Sequence, residues 1–192
     1  MFTALLDTSV LWPSLQRDFL LSLAIEGMYR AVWSDAILDE LERTEHAKLI
    51  SRGADDTTAS ERSHRLVETM RTAFDDALVE GWEALEGSFG LPDPDDEHVL
   101  AAAVIAGAGA IVTSNLRHFP AALLPGTIEP LSPAEFALNT VALSPTSARR
   151  AISQIAARSG RHGPELSESD VLTVLADRYA MHEAVELVRS VL

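Results

Sequence analysis

The chain has 192 residues, a formal net charge of -14, a hydrophobic fraction of 47% and no cysteine. The length and composition predict one domain with a buried core and an appended segment. The absence of cysteine excludes disulfides and thiolate metal sites, so any metal must bind oxygen or imidazole. The N-terminus lacks the pattern of a signal peptide, and no apolar run reaches the roughly 20 residues of a membrane span, so we expect a cytoplasmic protein.

The elements predicted along the chain are buried strands that alternate with helices. Short apolar runs at residues 2–7, 29–34, 109–115 and 127–131 predict strands of a parallel sheet. The helices between them are predicted from apolar positions at helical spacing, and residues 51–62 are predicted to form a surface loop. One stripe contains Leu15, Phe19, Leu20 and Leu23, a second contains Ile37, Leu38 and Leu41, and a third contains Leu66, Met70, Phe74 and Leu78. This alternation predicts an α/β sandwich on a mostly parallel sheet.

The last fifty residues differ in character from the rest of the chain. They contain two segments with helix-capping patterns and a third, amphipathic segment, which together predict C-terminal helices. Residues 1–140 hold 23 acidic and 9 basic residues, whereas residues 141–192 hold 6 of each, so the whole charge excess lies in the first part. We therefore divide the chain into an α/β domain at residues 1–140 and a helical extension at residues 141–192.

Polar residues follow the predicted strands at one edge of the sheet. Asp7 ends the first strand, Ser34 ends the second, and Thr113 and Asn115 end the third. Ligands bind outside the carboxyl ends of the strands in open parallel sheets, so these side chains are expected to converge. Glu40 follows in the helix after Ser34, although a solvated helix face is the alternative for this residue.

Four acidic residues crowd the start of a later helix, at positions 93, 95, 96 and 97. A helix N-terminus favours one or two carboxylates, and further ones repel each other. Asp96 shares a helical stripe with Val99 and Leu100 and is expected to point toward the site, with the other three capping or flanking the helix. A shift of the helix boundary would select Asp95 instead.

Converging carboxylates without a basic partner acquire raised pKa values unless a cation neutralises them. Hard oxygen ligands of this kind are typical of Mg²⁺ or Mn²⁺ sites. These ions polarise phosphate and generate a hydroxide nucleophile, so hydrolysis of a nucleic-acid backbone is the favoured reaction.

The arrangement resembles the PIN domain, and in particular the VapC-type toxins of bacterial toxin-antitoxin systems. The resemblance covers about residues 3–137 and rests on the segments LLDTSVL, SDAILDEL, DPDDEHVLAAA and IVTSNLRHF. It implies a PIN-like (Rossmann-like) fold and a Mg²⁺- or Mn²⁺-dependent endoribonuclease that is blocked by a small antitoxin, and it leaves homodimerisation open. Asp7, Glu40 and Asp96 would bind metal, with Ser9 and Asn115 holding water, metal or substrate.

A receiver-like phospho-acceptor does not fit the sequence, because the acids are spread over the wrong strands. A phosphatase of the haloacid dehalogenase type also places an Asp after the first strand, but it requires a second Asp two residues later, where this chain has Ser9. A catalytically silent PIN-like binding module stays as the alternative, because Asn115 stands where many PIN domains place an acid and His118 stands where Asp is expected. His118 and Phe119 are otherwise expected to pack under the loop.

A basic patch in the predicted tail offers a contact for RNA. It contains four arginines and no acid: Arg149, Arg150, Arg158 and Arg161. An ordinary solvated helix face is an equally good interpretation of this patch.

Overall fold

The structure is a computed structural model that describes residues 1–160 and 164–191. The strands in the described residues are β1 (Thr3–Leu6), β2 (Arg30–Ser34), β3 (Leu78–Val79), β4 (Ala110–Val112) and β5 (Glu129–Leu131). The helices are α1 (Thr8–Leu11), α2 (Ser14–Ile25), α3 (Asp35–Ser51), α4 (Asp56–Ala73), α5 (Glu97–Ile105), α6 (Pro133–Leu143), α7 (Pro145–Arg158), α8 (Glu168–Tyr179) and α9 (His182–Arg189). Short 3₁₀ turns occur at Trp82–Leu85, Pro94–Asp96, Leu116–His118 and Ala121–Leu123.

The strands form one five-stranded parallel sheet with the order β3-β2-β1-β4-β5. Leu5, Val32 and Ile111, in three neighbouring strands, are fully buried, as expected for a sheet covered on both faces. The predicted α/β sandwich on a mostly parallel sheet, with further helices at the C-terminus, is therefore confirmed. The strand order places the carboxyl ends of β1 and β4 side by side, and the candidate site is built there.

The chain divides into two compact units. One unit contains residues 3–12 and 31–130, which hold most of the sheet together with α1, α3, α4 and α5. The other contains residues 1–2, 13–30 and 131–192, which hold α2 and the helices α6 to α9. The division predicted from the sequence, an α/β domain at residues 1–140 and a helical extension at residues 141–192, remains a prediction.

The second unit has an apolar core of its own. In α7, Ala148, Ala151, Ile152 and Ile155 are buried at the spacing of one helix face, which explains the strong amphipathic pattern of this segment. Helix α7 contacts α2, α8 and α9. Ser132 begins α6 with a capping box to Glu135, and Pro133 occupies the first turn as predicted.

Two predictions for residues 51–78 are wrong. The surface loop is limited to the short connection after Ser51, because α4 already begins at Asp56, where the side chain of Asp55 caps it. The predicted helical stripe ending at Leu78 is also too long, since α4 ends at Ala73 and Leu78 belongs to β3. The buried face of α4 is set by its packing on α3, and it contains Val67 and Met70, with Leu66 only half-buried.

No helix among the described residues combines the length and apolar character that crossing a bilayer requires.

Candidate active site

Asp7 lies directly after β1 and is buried, with 4% of its surface exposed. Its backbone N–H donates to the carbonyl of Val112 at 3.1 Å, which holds it beside the end of β4. Its Oδ2 accepts hydrogen bonds from the hydroxyls of Ser9 at 2.6 Å and Thr113 at 2.7 Å. The two hydroxyls fix the carboxylate in one orientation, and the sequence had placed all three residues at this edge.

Glu40 reaches the same region from α3. Ser34 is fully buried, and its hydroxyl accepts from the backbone N–H of Ile37 at 3.2 Å, so it starts α3 at the end of β2. Glu40 lies one and a half turns further on, where its Oε2 accepts from the hydroxyl of Thr8 at 2.8 Å. The N-cap thus sets the phase of the helix that directs Glu40 toward the site, and Glu40 is not a fully solvated residue.

Asp96 ends the 3₁₀ turn that leads into α5, and its carboxylate is bound to His118. The Nδ1 of His118 lies 2.6 Å from Asp96 Oδ2 and 3.5 Å from Asp93 Oδ2. The Nε–H of Arg117 donates to the other ring nitrogen of His118 at 3.1 Å. Because that nitrogen accepts, the ring proton lies on Nδ1, which donates to Asp96.

His118 is the site residue that the sequence interpretation missed. It was expected to pack under the loop with Phe119; Phe119 is indeed buried, but the His118 ring points to the carboxylates. The sequence signal that could have identified His118 was its position three residues after Asn115, where the resemblance to PIN domains leads us to expect an acid. Asp93, Asp96 and His118 form a group of three candidate metal ligands, and their ligand atoms all lie within 4.8 Å of one another. It is the one group of this kind among the described residues.

The four crowded acids have different roles. Asp93 caps the 3₁₀ turn by accepting from the backbone N–H of Asp95 at 3.2 Å, and Asp95 itself is exposed. Glu97 is 3% exposed, and its carboxylate accepts from the backbone N–H groups of Phe89 at 3.1 Å and Leu91 at 2.7 Å. Glu97 therefore holds the preceding loop, which differs from the capping or flanking role predicted for it.

The charges of the site act on one another. Burial raises the pKa of Asp96, the hydrogen bond from His118 opposes this, and the charges of Asp7 and Asp93 add to the increase. No Lys or Arg in residues 1–160 and 164–191 forms an ion pair with Asp7, Glu40 or Asp96. A divalent cation would remove this repulsion, and the carboxylate oxygens of the site are hard ligands that fit such an ion.

Two adjoining cavities contain these side chains. The smaller, of about 160 Å³, is lined by Asp7, Glu40, Asp96 and Asn115, together with Ser9 and Trp12. The larger, of about 570 Å³, shares Glu40, Asp96 and Asn115 with the first and adds Asp93, His118 and the exposed cation Arg43. Asn115 has an exposed side chain. Its backbone N–H donates to Thr113 Oγ1 at 3.0 Å, which holds the backbone of Asn115 beside the end of β4. The residues predicted from separate segments thus line two cavities that share Glu40, Asp96 and Asn115.

The three described arginines of the basic patch have partners within their own unit. Arg150 pairs with Glu26 at 2.7 Å, and Arg158 pairs with Asp18 at 2.6 Å. Arg149 donates to the backbone carbonyl of Val191 at 3.2 Å. Arg161 lies outside the described residues. Contact between this patch and RNA stays a prediction, and Arg150 and Arg158 would have to exchange a carboxylate for a phosphate to make it.

Comparison with known proteins identifies the family. A model of the PIN domain matches residues 3–117, which is more than half of the chain and contains Asp7, Glu40, Asp96 and Asn115. The chain belongs to the PIN domain family. No curated protein and no solved structure matches the chain. PIN domains are generally nucleases that use a divalent metal, so family membership indicates nuclease activity with RNA as the substrate class, and the acidic cluster around Asp96 is a possible metal site.

Proposed function

We propose that this PIN domain protein is a Mg²⁺- or Mn²⁺-dependent endoribonuclease and the VapC-type toxin of a toxin-antitoxin pair. The observation that carries the proposal is the set of three carboxylates, Asp7, Glu40 and Asp96, which reach one cavity from three separate segments without a Lys or Arg partner among the described residues. Family membership supports the nuclease chemistry.

Each proposed metal ligand has a neighbouring group that orients it. Ser9 and Thr113 donate to Asp7, Thr8 donates to Glu40, and His118 donates to Asp96. When bound, the cation supplies charge neutralisation, polarisation of the phosphodiester and a lowered pKa of water. Because the hydroxyl and imidazole donors already orient the carboxylates, the carboxylates need little reorganisation when the substrate binds.

The neutral and basic groups at the edge of the cavities have a separate role in this proposal. The exposed amide of Asn115 and the guanidinium of Arg43 line the larger cavity and can donate hydrogen bonds to phosphate oxygens. Asn115 brings no charge, so a second cation would depend on the carboxylates of Asp93 and Asp96, and His118 could bind it only by giving up its hydrogen bond to Asp96. Whether one or two ions bind is measurable as the stoichiometry of Mn²⁺ binding by calorimetry.

The nuclease part of the proposal is tested with purified protein and structured RNA. Cleavage is expected with Mg²⁺ or Mn²⁺, none with EDTA, and none by Asp7→Asn, whose amide cannot replace the buried carboxylate. Asp177→Asn removes an exposed carboxylate from α8 and serves as the matched control with unchanged activity. Equal cleavage in EDTA would contradict a metal-dependent reaction, and a protein that neither binds metal nor cleaves RNA would be the silent binding module.

The toxin part requires a partner. Co-expression with the product of the adjacent reading frame is expected to give a stable complex that lacks ribonuclease activity, because a basic segment of an antitoxin would complement the acidic cavities. Light scattering of the free protein and of the complex would establish whether homodimers form. Expression without toxicity, together with no binding by the neighbouring product, would contradict the toxin role and leave the ribonuclease role standing.

A further inference from the structure

One of the three tryptophans is exposed within the candidate active site. Trp33 is fully buried and Trp82 is 7% exposed, whereas Trp12 is 40% exposed. A single exposed aromatic residue is common on protein surfaces and needs no explanation by itself. The position of Trp12 is different, because it lines the same cavity as Asp7, Glu40 and Asp96.

The backbone and the ring of Trp12 each have a partner near the candidate active site. Its backbone N–H donates to the carbonyl of Thr8 at 2.8 Å, and the hydroxyl of Thr8 in turn donates to Glu40. The ammonium of Lys48 lies 5.6 Å from the centroid of the Trp12 ring, which is within the range of a cation–π interaction. Lys48 is itself paired with Glu45, one turn earlier in α3. The backbone of Trp12 is therefore held close to the carboxylates, and Lys48 lies over one face of the indole while 40% of the residue stays exposed.

The charge of the cavity limits what can hold an RNA strand there. The chain carries a net charge of -14, and carboxylates dominate the lining, so the strand gains little from general attraction to phosphate. Stacking of a base on an aromatic ring does not depend on phosphate charge and tolerates every base, because each base has a π face. Among the residues that line this cavity, Trp12 is the aromatic one.

We infer that Trp12 is a stacking platform for one unpaired nucleobase of an RNA substrate, beside the phosphodiester that faces the carboxylates. The inference rests on the proposed function for its reaction but makes a separate claim about binding. The stacked base must be unpaired, because a base held in a duplex cannot place its face on the ring.

The test measures binding of a fluorescein-labelled, single-stranded RNA hexanucleotide in Mg²⁺, in an Asp7→Asn background so that the probe stays intact. Trp12→Leu is expected to weaken binding roughly 5- to 150-fold, and Trp12→Phe, which keeps an aromatic face, is expected to retain most of the affinity. Leu143→Ala changes a side chain that is 74% exposed in α6 and is the control with unchanged affinity. Thermal unfolding, followed through the two buried tryptophans, checks that each variant is folded.

Abasic substitution identifies the stacked base. Replacing each base of the hexanucleotide in turn should reveal one position whose loss weakens binding to the protein with Trp12 but not to the Trp12→Leu variant. Equal affinity of Trp12→Leu and Trp12→Phe would overturn the inference, and so would a failure of the hexanucleotide to bind. Cleavage by the unmodified chain is measured separately: cleavage without a Trp12 effect rejects only the platform, whereas a Trp12 effect without cleavage supports the platform and rejects the nuclease proposal.

Discussion

Replacing Glu97 should destabilise the fold more than replacing any other member of the acidic group at positions 93–97. The Glu97 side chain is almost completely buried, and its two carboxylate oxygens each accept one backbone N–H from the loop before α5. Glu97→Ala leaves both N–H groups without this acceptor. The neighbouring Asp95 is exposed, so Asp95→Ala is a control with the same charge change.

The size of the effect follows from the two bonds. The bond from Leu91 is buried and 2.7 Å long, and a hydrogen bond to a charged group contributes roughly 1.5–3 kcal/mol. The bond from Phe89 is longer, 3.1 Å, and only partly buried, so we assign it about 0.5–1.5 kcal/mol. Glu97→Ala should therefore lower the free energy of unfolding by about 2–4.5 kcal/mol, and Glu97→Gln, which keeps one acceptor oxygen, by about half of that.

Urea unfolding, followed by circular dichroism and tryptophan fluorescence, measures these differences. The fluorescence is informative because Trp82 lies in the 3₁₀ turn that packs on α5. Asp95→Ala should remain within about 0.5 kcal/mol of the unmodified protein. If Glu97→Ala also stays within that range, the loop is held by other contacts and the structural role assigned to Glu97 is wrong.

Two further predictions concern the site itself. Because burial and the charges of Asp7 and Asp93 raise the pKa of Asp96 above 3.8, its contribution to the stability of the metal-free protein is lost as pH rises through the folded pKa. In EDTA, Asp96→Asn should therefore be as stable as the unmodified chain or more stable near pH 7, with the advantage vanishing near pH 4; a large loss of stability by thermal unfolding would contradict this. His118→Ala should weaken Mn²⁺ binding by roughly 10- to 100-fold in calorimetry, and His118→Asn, whose amide can donate from near the Nδ1 position, should weaken it less. Equal losses in both variants would show that donation to Asp96 is not what matters.

Local sequence patterns determined the layers of the fold and several site residues. Asp7 and Ser34 are predicted because each ends an apolar strand, and Glu40 because it follows in the next helix beside the apolar positions of that helix. These features depend on residues that are neighbours along the chain, so the periodicities of strands and helices predict them. The general rule for parallel sheets predicted that the carboxyl ends of the strands lie at one edge, whereas the adjacency of β1 and β4 is set by the tertiary structure.

Tertiary packing decided what local pattern leaves open. The end of α4 and the burial of Val67 instead of Leu66 depend on where α3 lies, and a helical stripe alone does not contain that information. His118 reaches Asp96 across 22 residues of sequence, and Glu97 turns back to hold Phe89 and Leu91. Acidic residues at positions 96 and 97 look alike in sequence, but the backbone around them directs one carboxylate into the cavity and buries the other against unpaired N–H groups, because buried donors must find acceptors.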